Sequence, residues 1–92
     1  MDLTFVWDSE KASANLRKHD VSFQEATTVF GDPLSITVVD PGHSVGEPRF
    51  VIVGESYRQR LLVVAHVETG DTIRIISARV ATRRERQDYE QG

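Results

Sequence analysis

Along the 92-residue chain the spacing of apolar positions changes character at Pro33. Before it, LTFVW (3–7) is a short aromatic and β-branched run that reads as a strand. From Ser9 to about Lys18, Ala12, Leu16 and Ala14 lie among polar residues at helical spacing and predict an amphipathic helix. Asp8 offers the N-cap carboxylate. Arg17, Lys18 and His19 fall in the last turn, where cations favour the carbonyl end of the helix dipole. Asp20 turns the chain. A second helix runs from Phe23 to Phe30, with Phe23, Ala26, Val29 and Phe30 as its apolar stripe. Ser22 and Glu25 fit the capping box S-x-x-E before it. Gly31 suits a left-handed terminator and Asp32-Pro33 prevents continuation.

After Pro33 the pattern becomes period two and β-branched: LSITVVD (34–40), RFVIVGES (49–56), RLLVVAHVE (60–68) and DTIRIISAR (71–79). Turn signals at Pro41-Gly42, Ser56 to Gln59 and Thr69-Gly70-Asp71 make these an antiparallel meander. Pro41 to Pro48 is longer than a tight turn and reads as a mobile loop. Thr82 and Glu85 form another capping box, opening a last helix from Arg83 to about Glu90. The expectation is an α+β fold of order β-α-α-β-β-β-β-α: a small antiparallel sheet with two helices packed on one face and a C-terminal helix. LLVVAHV and IRII are apolar on both faces, so the C-terminal helix or a partner chain should cover the second face.

Length, at 92 residues, fits one domain spanning 1–92. No cysteine is present, which excludes disulfides, thiolate metal sites and a cysteine nucleophile. The N-terminus lacks a secretory pattern and no stretch approaches a membrane span, so a soluble cytoplasmic protein is expected. The net charge of −3 conceals a segregation: residues 1–56 carry four basic side chains against nine acids, whereas residues 57–86 carry seven arginines against three acids. Such a local positive field attracts a polyanion in spite of the total.

His19, His43 and His66 are far apart and no metal-ligand spacing accompanies them. Nucleotide-binding glycine motifs and a G-x-S-x-G elbow are absent, so no cofactor is expected. Arginine, histidine, tyrosine and a few carboxylates remain, a set that suits RNA phosphodiester cleavage without metal. That reaction needs a base for the 2′-hydroxyl, cations for the charge growing on phosphorus, and an acid for the leaving 5′-oxygen. Arg79, at the exit of the last strand, is the better phosphate ligand. Arg74, an odd number of residues away, falls on the opposite face of an unbroken strand, as an ion-pair or snorkelling residue. Arg83 and Arg86 form one helix row, extended by Tyr89; Tyr89 either contacts RNA or closes the core. His19 is either an acid-base group or a helix-end cation. His66 reads as a satisfied sheet-face histidine, and His43 lies in the loop.

The stretches FVWDSEKASANLRKHDVSFQEATTVFGDP, EPRFVIVGES, LLVVAHVE and IRIISARVATRRERQDYE resemble the BrnT family of type II toxin-antitoxin toxins from Phe5 to Tyr89. The elements W-D-x-x-K-x-x-x-N-x-x-K-H-x-V-x-F and R-I-I-S-A-R-x-A-T-x-x-E-R carry the resemblance, with Asp20 where family members often have glycine. It implies a RelE-like fold and an endoribonuclease toxin that inhibits translation. The implied partners are a BrnA-type ribbon-helix-helix antitoxin, an RNA substrate and, through the antitoxin, operator DNA. Carried over by motif are Lys18, His19, Arg49, Arg74, Ser77, Arg79, Glu85, Arg86 and Tyr89. Arg79, His19, Lys18 and Tyr89 are then the catalytic candidates, and Arg49, Arg74, Arg83 and Arg86 the RNA-binding ones. The alternative is a non-catalytic nucleic-acid-binding or co-repressor subunit whose arginines only contact phosphates.

Overall fold

Asp8 starts the first helix by accepting the N–H groups of Glu10 and Lys11 at 2.9 and 3.0 Å, satisfying donors that a helix N-terminus otherwise leaves open. The computed structural model describes residues 2–40 and 46–92. In it β1 (Thr4–Val6) leads into α1 (Ser9–His19) and α2 (Phe23–Thr28), whose end tightens into a 3₁₀ turn, Val29–Gly31. Then come β2 (Ile36–Val39), β3 (Arg49–Glu55), β4 (Leu61–Thr69), β5 (Thr72–Val80) and α3 (Arg83–Gln91). The predicted order of elements is therefore present. Most of the expected loop from Pro41 to Pro48, and His43 with it, lies outside the described residues.

Local chemistry departs from expectation at two helix ends. Asp20 closes α1 in the left-handed region at φ +57°, but Gly31 is not left-handed. Asp32 and Pro33 already stop α2, and Asp32 caps the N–H of Leu34 at 2.9 Å. Ser22 accepts the N–H of Glu25 as an N-cap should. Only half of the expected box forms, because the Glu25 carboxylate is 2% exposed and is taken by stronger donors. Ser56 Oγ donates to it at 2.7 Å, and Arg60 donates from both Nε and Nη2. A buried carboxylate needs a guanidinium more than it needs a backbone amide.

The sheet runs β1-β5-β4-β3-β2. β2 to β5 form the expected antiparallel meander, but β1 lies parallel to β5, with Thr4 opposite Thr72 and Val6 opposite Arg74. The sheet is mixed rather than wholly antiparallel, since the two helices between β1 and the meander return the chain to the far edge. On one face Val21, Phe23, Ala26 and Val29 pack against Ile52, Leu62, Val64, Ile73, Ile75 and Ala78. Gly54 allows this close approach: an added Cβ would lie 2.9 Å from Val29 Cγ1.

Of the predicted apolar stripe of α1, only Ala12 packs against the core. Leu16 and Ala14 are exposed, and the buried residue is Asn15, 7% exposed. Its Nδ2 donates to Val21 O at 2.9 Å and Ala78 O at 2.8 Å, while its Oδ1 accepts the Ala78 N–H at 3.1 Å. β1 stops at Val6, so the second half of β5 has no strand on that side, and one side-chain amide supplies the missing partner. α3 crosses the other face, held by Thr82 and Glu85 in a complete capping box. Tyr89 completes the docking by donating its hydroxyl to Asp32 Oδ2 at 2.6 Å.

Asn15→Ala leaves two carbonyls and one N–H without their partner, and an orphaned buried group costs about 1–3 kcal/mol. A loss of about 2–4 kcal/mol is expected, each kcal/mol lowering Tm by about 4–8 °C in a domain this small. Thermal unfolding measures it, and a melting point within about 2–3 °C of wild type, equivalent to about 0.5 kcal/mol, would show that the amide is not a structural brace. A second expectation concerns acid. The Arg60 hydrogen bonds hold Glu25 below the usual carboxylate range, and the Arg79 fork lowers Glu85 from 4.5 to about 2. Both pKa values are depressed on folding, so their stabilisation is complete above about pH 5 and is lost as pH falls from 4.5 towards 2. Denaturation midpoints should be flat with respect to these groups from pH 5 to 7 and then drop. Glu85→Gln should start lower and fall less steeply; an unchanged slope would remove Glu85 from the account.

Candidate nucleic-acid site on the open face of the sheet

Cross-strand register decides which arginines share a surface. Arg74 lies opposite Val67 and Arg79 opposite Val63, and these two valines, four apart on β4, point to the same side. The five-residue separation of the arginines would put them on opposite faces of a regular strand. Ala65 pairs with Ser77 and His66 with Ile75, however, which leaves Ile76 as an extra residue in β5. This bulge reverses the alternation. The expectation that Arg74 and Arg79 occupy opposite faces is thus corrected: both project from the face away from α1 and α2. Arg49 joins them, because it too pairs with Val67, from β3. Arg49 and Arg74 flank that valine roughly 10 Å apart, with Arg79 about 13 Å farther along the sheet.

Each arginine has a distinct electrostatic setting. Arg79 donates from Nη1 and Nη2 to the two Glu85 oxygens at 2.8 and 2.9 Å, a bidentate grip that leaves its Nε edge for another acceptor. Arg74 donates to Glu47 at 2.6 Å in an exposed pair, the ion-pair role predicted for it. Such a pair contributes little to stability and is readily exchanged for another anion. Arg49 is half-buried and has no ion-pair partner among the described residues.

Lys18 and His19 reach the same region from α1. With Lys11, Ala14 and Asn15 they line a shallow cleft of about 230 Å³ whose opposite wall is Ile76 and Ser77. Ser77 lies between Arg74 and Arg79 in sequence and pairs with Ala65 on the open face. The bulge therefore joins the α1 cations to the strand arginines around the uncovered edge of β5.

Other candidates stand apart. Tyr89 belongs to the inward row of α3 with Glu85, not to the row of Arg86, and sits over Ile36 and Val53. Its bond to Asp32 raises its pKa to about 12. Asp32 is pushed up by burial but more strongly down by the Glu55 N–H, the Tyr89 hydroxyl and the Leu34 N–H. Arg83 and Arg86 are exposed on the outer side of α3. His66 is fully buried on the helix-covered face between Phe30 and Phe50, with Nε2 2.9 Å from Glu68. Sequence reasoning missed Asn15 and the grip of Glu85 on Arg79. The available signals were a polar residue in the inward row of a short helix and a capping-box glutamate six residues after an arginine.

Among the described residues no three His, Cys, Asp or Glu side chains are gathered to hold a metal ion, and no helix is long and apolar enough to cross a membrane. No curated protein matched the sequence. Among solved structures the fold is similar to that of the Brucella abortus ribonuclease toxin BrnT. The two share 21% identity at a TM-score of 0.64, over 88% of this chain and 99% of that one. A family model for the ribonuclease toxin BrnT of type II toxin-antitoxin systems matches residues 7–85. Lys11 of the W-D-x-x-K element faces Ile76 and Ser77 of the R-I-I-S-A-R element across one cleft, and the chain belongs to the BrnT family of type II toxin-antitoxin ribonuclease toxins.

Proposed function

We propose that this chain is a metal-independent endoribonuclease of RelE-like type that inhibits translation by cutting RNA at the junction of α1 and the β5 bulge. The observation that carries the reading is the bulge itself, which sets Arg74 and Arg79 on one face with Ser77 beside Lys18 and His19. In this mechanism the 2′-hydroxyl attacks the adjacent phosphorus as its proton passes to a base. His19 has the chemistry for that proton transfer near neutral pH. Arg79 stabilises the additional charge on the phosphoryl oxygens through its Nε edge, fixed in aim by Glu85. Lys18 donates a proton to the departing 5′-oxygen as its bond to phosphorus breaks, while Arg49, Arg74, Arg83 and Arg86 hold flanking phosphates. Tyr89 acts in this reading by keeping α3, and with it Glu85, on the sheet.

Family membership implies an antitoxin partner. A BrnA-type ribbon-helix-helix antitoxin fits the open face: an acidic segment would pair with Arg49 and Arg74 and cover Val51 and Ala65, the next pair along the same face. Operator DNA would then be reached only through the antitoxin.

Purified chain should cleave single-stranded RNA with EDTA present; RNA that is merely shifted in a gel, with no new ends, would favour the phosphate-binding subunit and overturn the enzyme reading. Arg79→Lys keeps a charge but loses the planar fork, and a cut of about 10²–10³ in single-turnover rate is expected, as for removal of one aimed donor. The measurement is made on protein whose melting curve shows it folded. A rate within twofold of wild type would remove Arg79 from the centre.

A further inference from the structure

Lys11 is an exposed residue of α1 with no ion-pair partner among the described residues, and it has no part in the reaction outlined above. It lies seven positions before Lys18. Seven residues are almost two full turns, which place both side chains on one side of the helix about 10 Å apart. Both line the cleft against Ile76 and Ser77. That separation exceeds the span of one phosphate group, and the flexible four-carbon lysine stems let the two ammonium groups close on two phosphates of one strand. Arg17 also points to solvent on this helix, but it is not among the residues lining the cleft.

The course of the cleft restricts what can occupy it. From Lys11 it follows α1 to Lys18 and His19, then meets Ser77 at the bulge, beyond which Arg74 and Arg79 stand on the other side of the sheet. An occupant touching both lysines and both arginines must bend around a sheet edge. A rigid A-form duplex does not do this, whereas a single strand does. The walls offer two lysines, the His19 imidazole, the Asn15 amide, the Ser77 hydroxyl and the aliphatic side chains of Ala14 and Ile76, and include no Phe, Tyr or Trp; the two lysines address the sugar-phosphate backbone.

Resting on the ribonuclease reading, we propose that Lys11 and Lys18 form a two-phosphate subsite for single-stranded RNA, which leads the strand over the open edge of β5 to the strand arginines. Lys11 binds substrate and takes no part in the chemical step. Its loss therefore raises KM and leaves kcat unchanged.

The test uses the full chain and two probes: an oligoribonucleotide for steady-state cleavage over a range of concentrations, and the same sequence with 2′-O-methyl groups, which cannot be cut, for binding by fluorescence anisotropy across a salt series. Lys11→Ala should raise KM several-fold at unchanged kcat. It should also reduce the slope of log K against log salt by about 0.7, the value for one phosphate contact on a single strand. Lys11→Arg should restore both, and Arg17→Ala, an equal loss of charge on the same helix, should alter neither. If wild type cleaves and Lys11→Ala matches it in KM and salt slope, or if Arg17→Ala lowers the slope equally, the subsite is overturned. Wild type that fails to cleave while Lys11→Ala still lowers the binding slope would sink the ribonuclease reading and retain the subsite. Melting curves exclude unfolding as the cause of any change.

Discussion

β5 is an interior strand for its first half and an edge for its second, and the side-chain amide of Asn15 makes that transition possible. β1 pairs with β5 only as far as Arg74. Beyond that point a free edge would leave backbone donors and acceptors open to another chain, a liability that bulges and covering elements commonly suppress. Here both devices occur together. Ile76 bulges, which twists the edge away, and Asn15 takes both the N–H and the C=O of Ala78. Because Asn15 also binds the carbonyl of Val21, the same amide fixes the turn between α1 and α2 against the sheet. The position of Lys18 and His19 relative to β5 follows from that single brace, since they occupy the next turn of the same helix.

The bulge and the amide also explain why the basic groups converge. A regular β5 would have divided Arg74 and Arg79 between a buried and an open face, and a buried guanidinium there would have required its own counter-charge. One inserted residue places both on the open side and keeps Ile73, Ile75 and Ala78 on the core side. The carboxylates are arranged accordingly. Glu25 neutralises Arg60 at the first turn of α2, Asp32 receives the α3 tyrosine, Glu47 pairs with Arg74, and Glu85 grips Arg79 from α3 with both oxygens. Glu85 is also the capping residue of α3. The aim of Arg79 and the docking of the last helix are thus fixed by the same carboxylate.

Much of this was legible in the chain. Asp8, Ser22 and Thr82 announce helix starts because a short polar side chain before an apolar periodicity has few other uses, and period two after Pro33 gives four strands in their observed order. What was not legible depends on contacts between distant residues. The parallel placement of β1 cannot be read from a three-residue strand, whose pattern fits either edge and either direction. The bulge at Ile76 is invisible to periodicity, since IRIIS alternates well enough alone, and only pairing with Ala65 and His66 reveals the extra residue. Glu25 looked like a capping residue because its spacing from Ser22 is right, yet a carboxylate buried beside Arg60 follows the stronger electrostatic demand. Asn15 carries no apolar signal, yet it is the most deeply inward position of α1, with Ala12 half-buried beside the core.

The excess of acid in the whole chain does not oppose a polyanion at this site. At physiological salt a charge is felt over about 8 Å, so the potential at a phosphate depends on its immediate neighbours and hardly on the sum. Around the bulge those neighbours are Lys18, His19, Arg74 and Arg79. Asp20 follows His19 at the end of α1, and two further acids, Glu47 and Glu85, are each hydrogen-bonded to one of these arginines. An incoming phosphate therefore meets two different guanidinium groups: Arg74, whose exposed pair with Glu47 exchanges readily, and Arg79, which the bidentate Glu85 holds in a fixed orientation so that little reorganisation is needed when it meets charge. The pairing of Arg79 with its acid thus aims the site, whereas the weaker pairing of Arg74 leaves that arginine open to exchange.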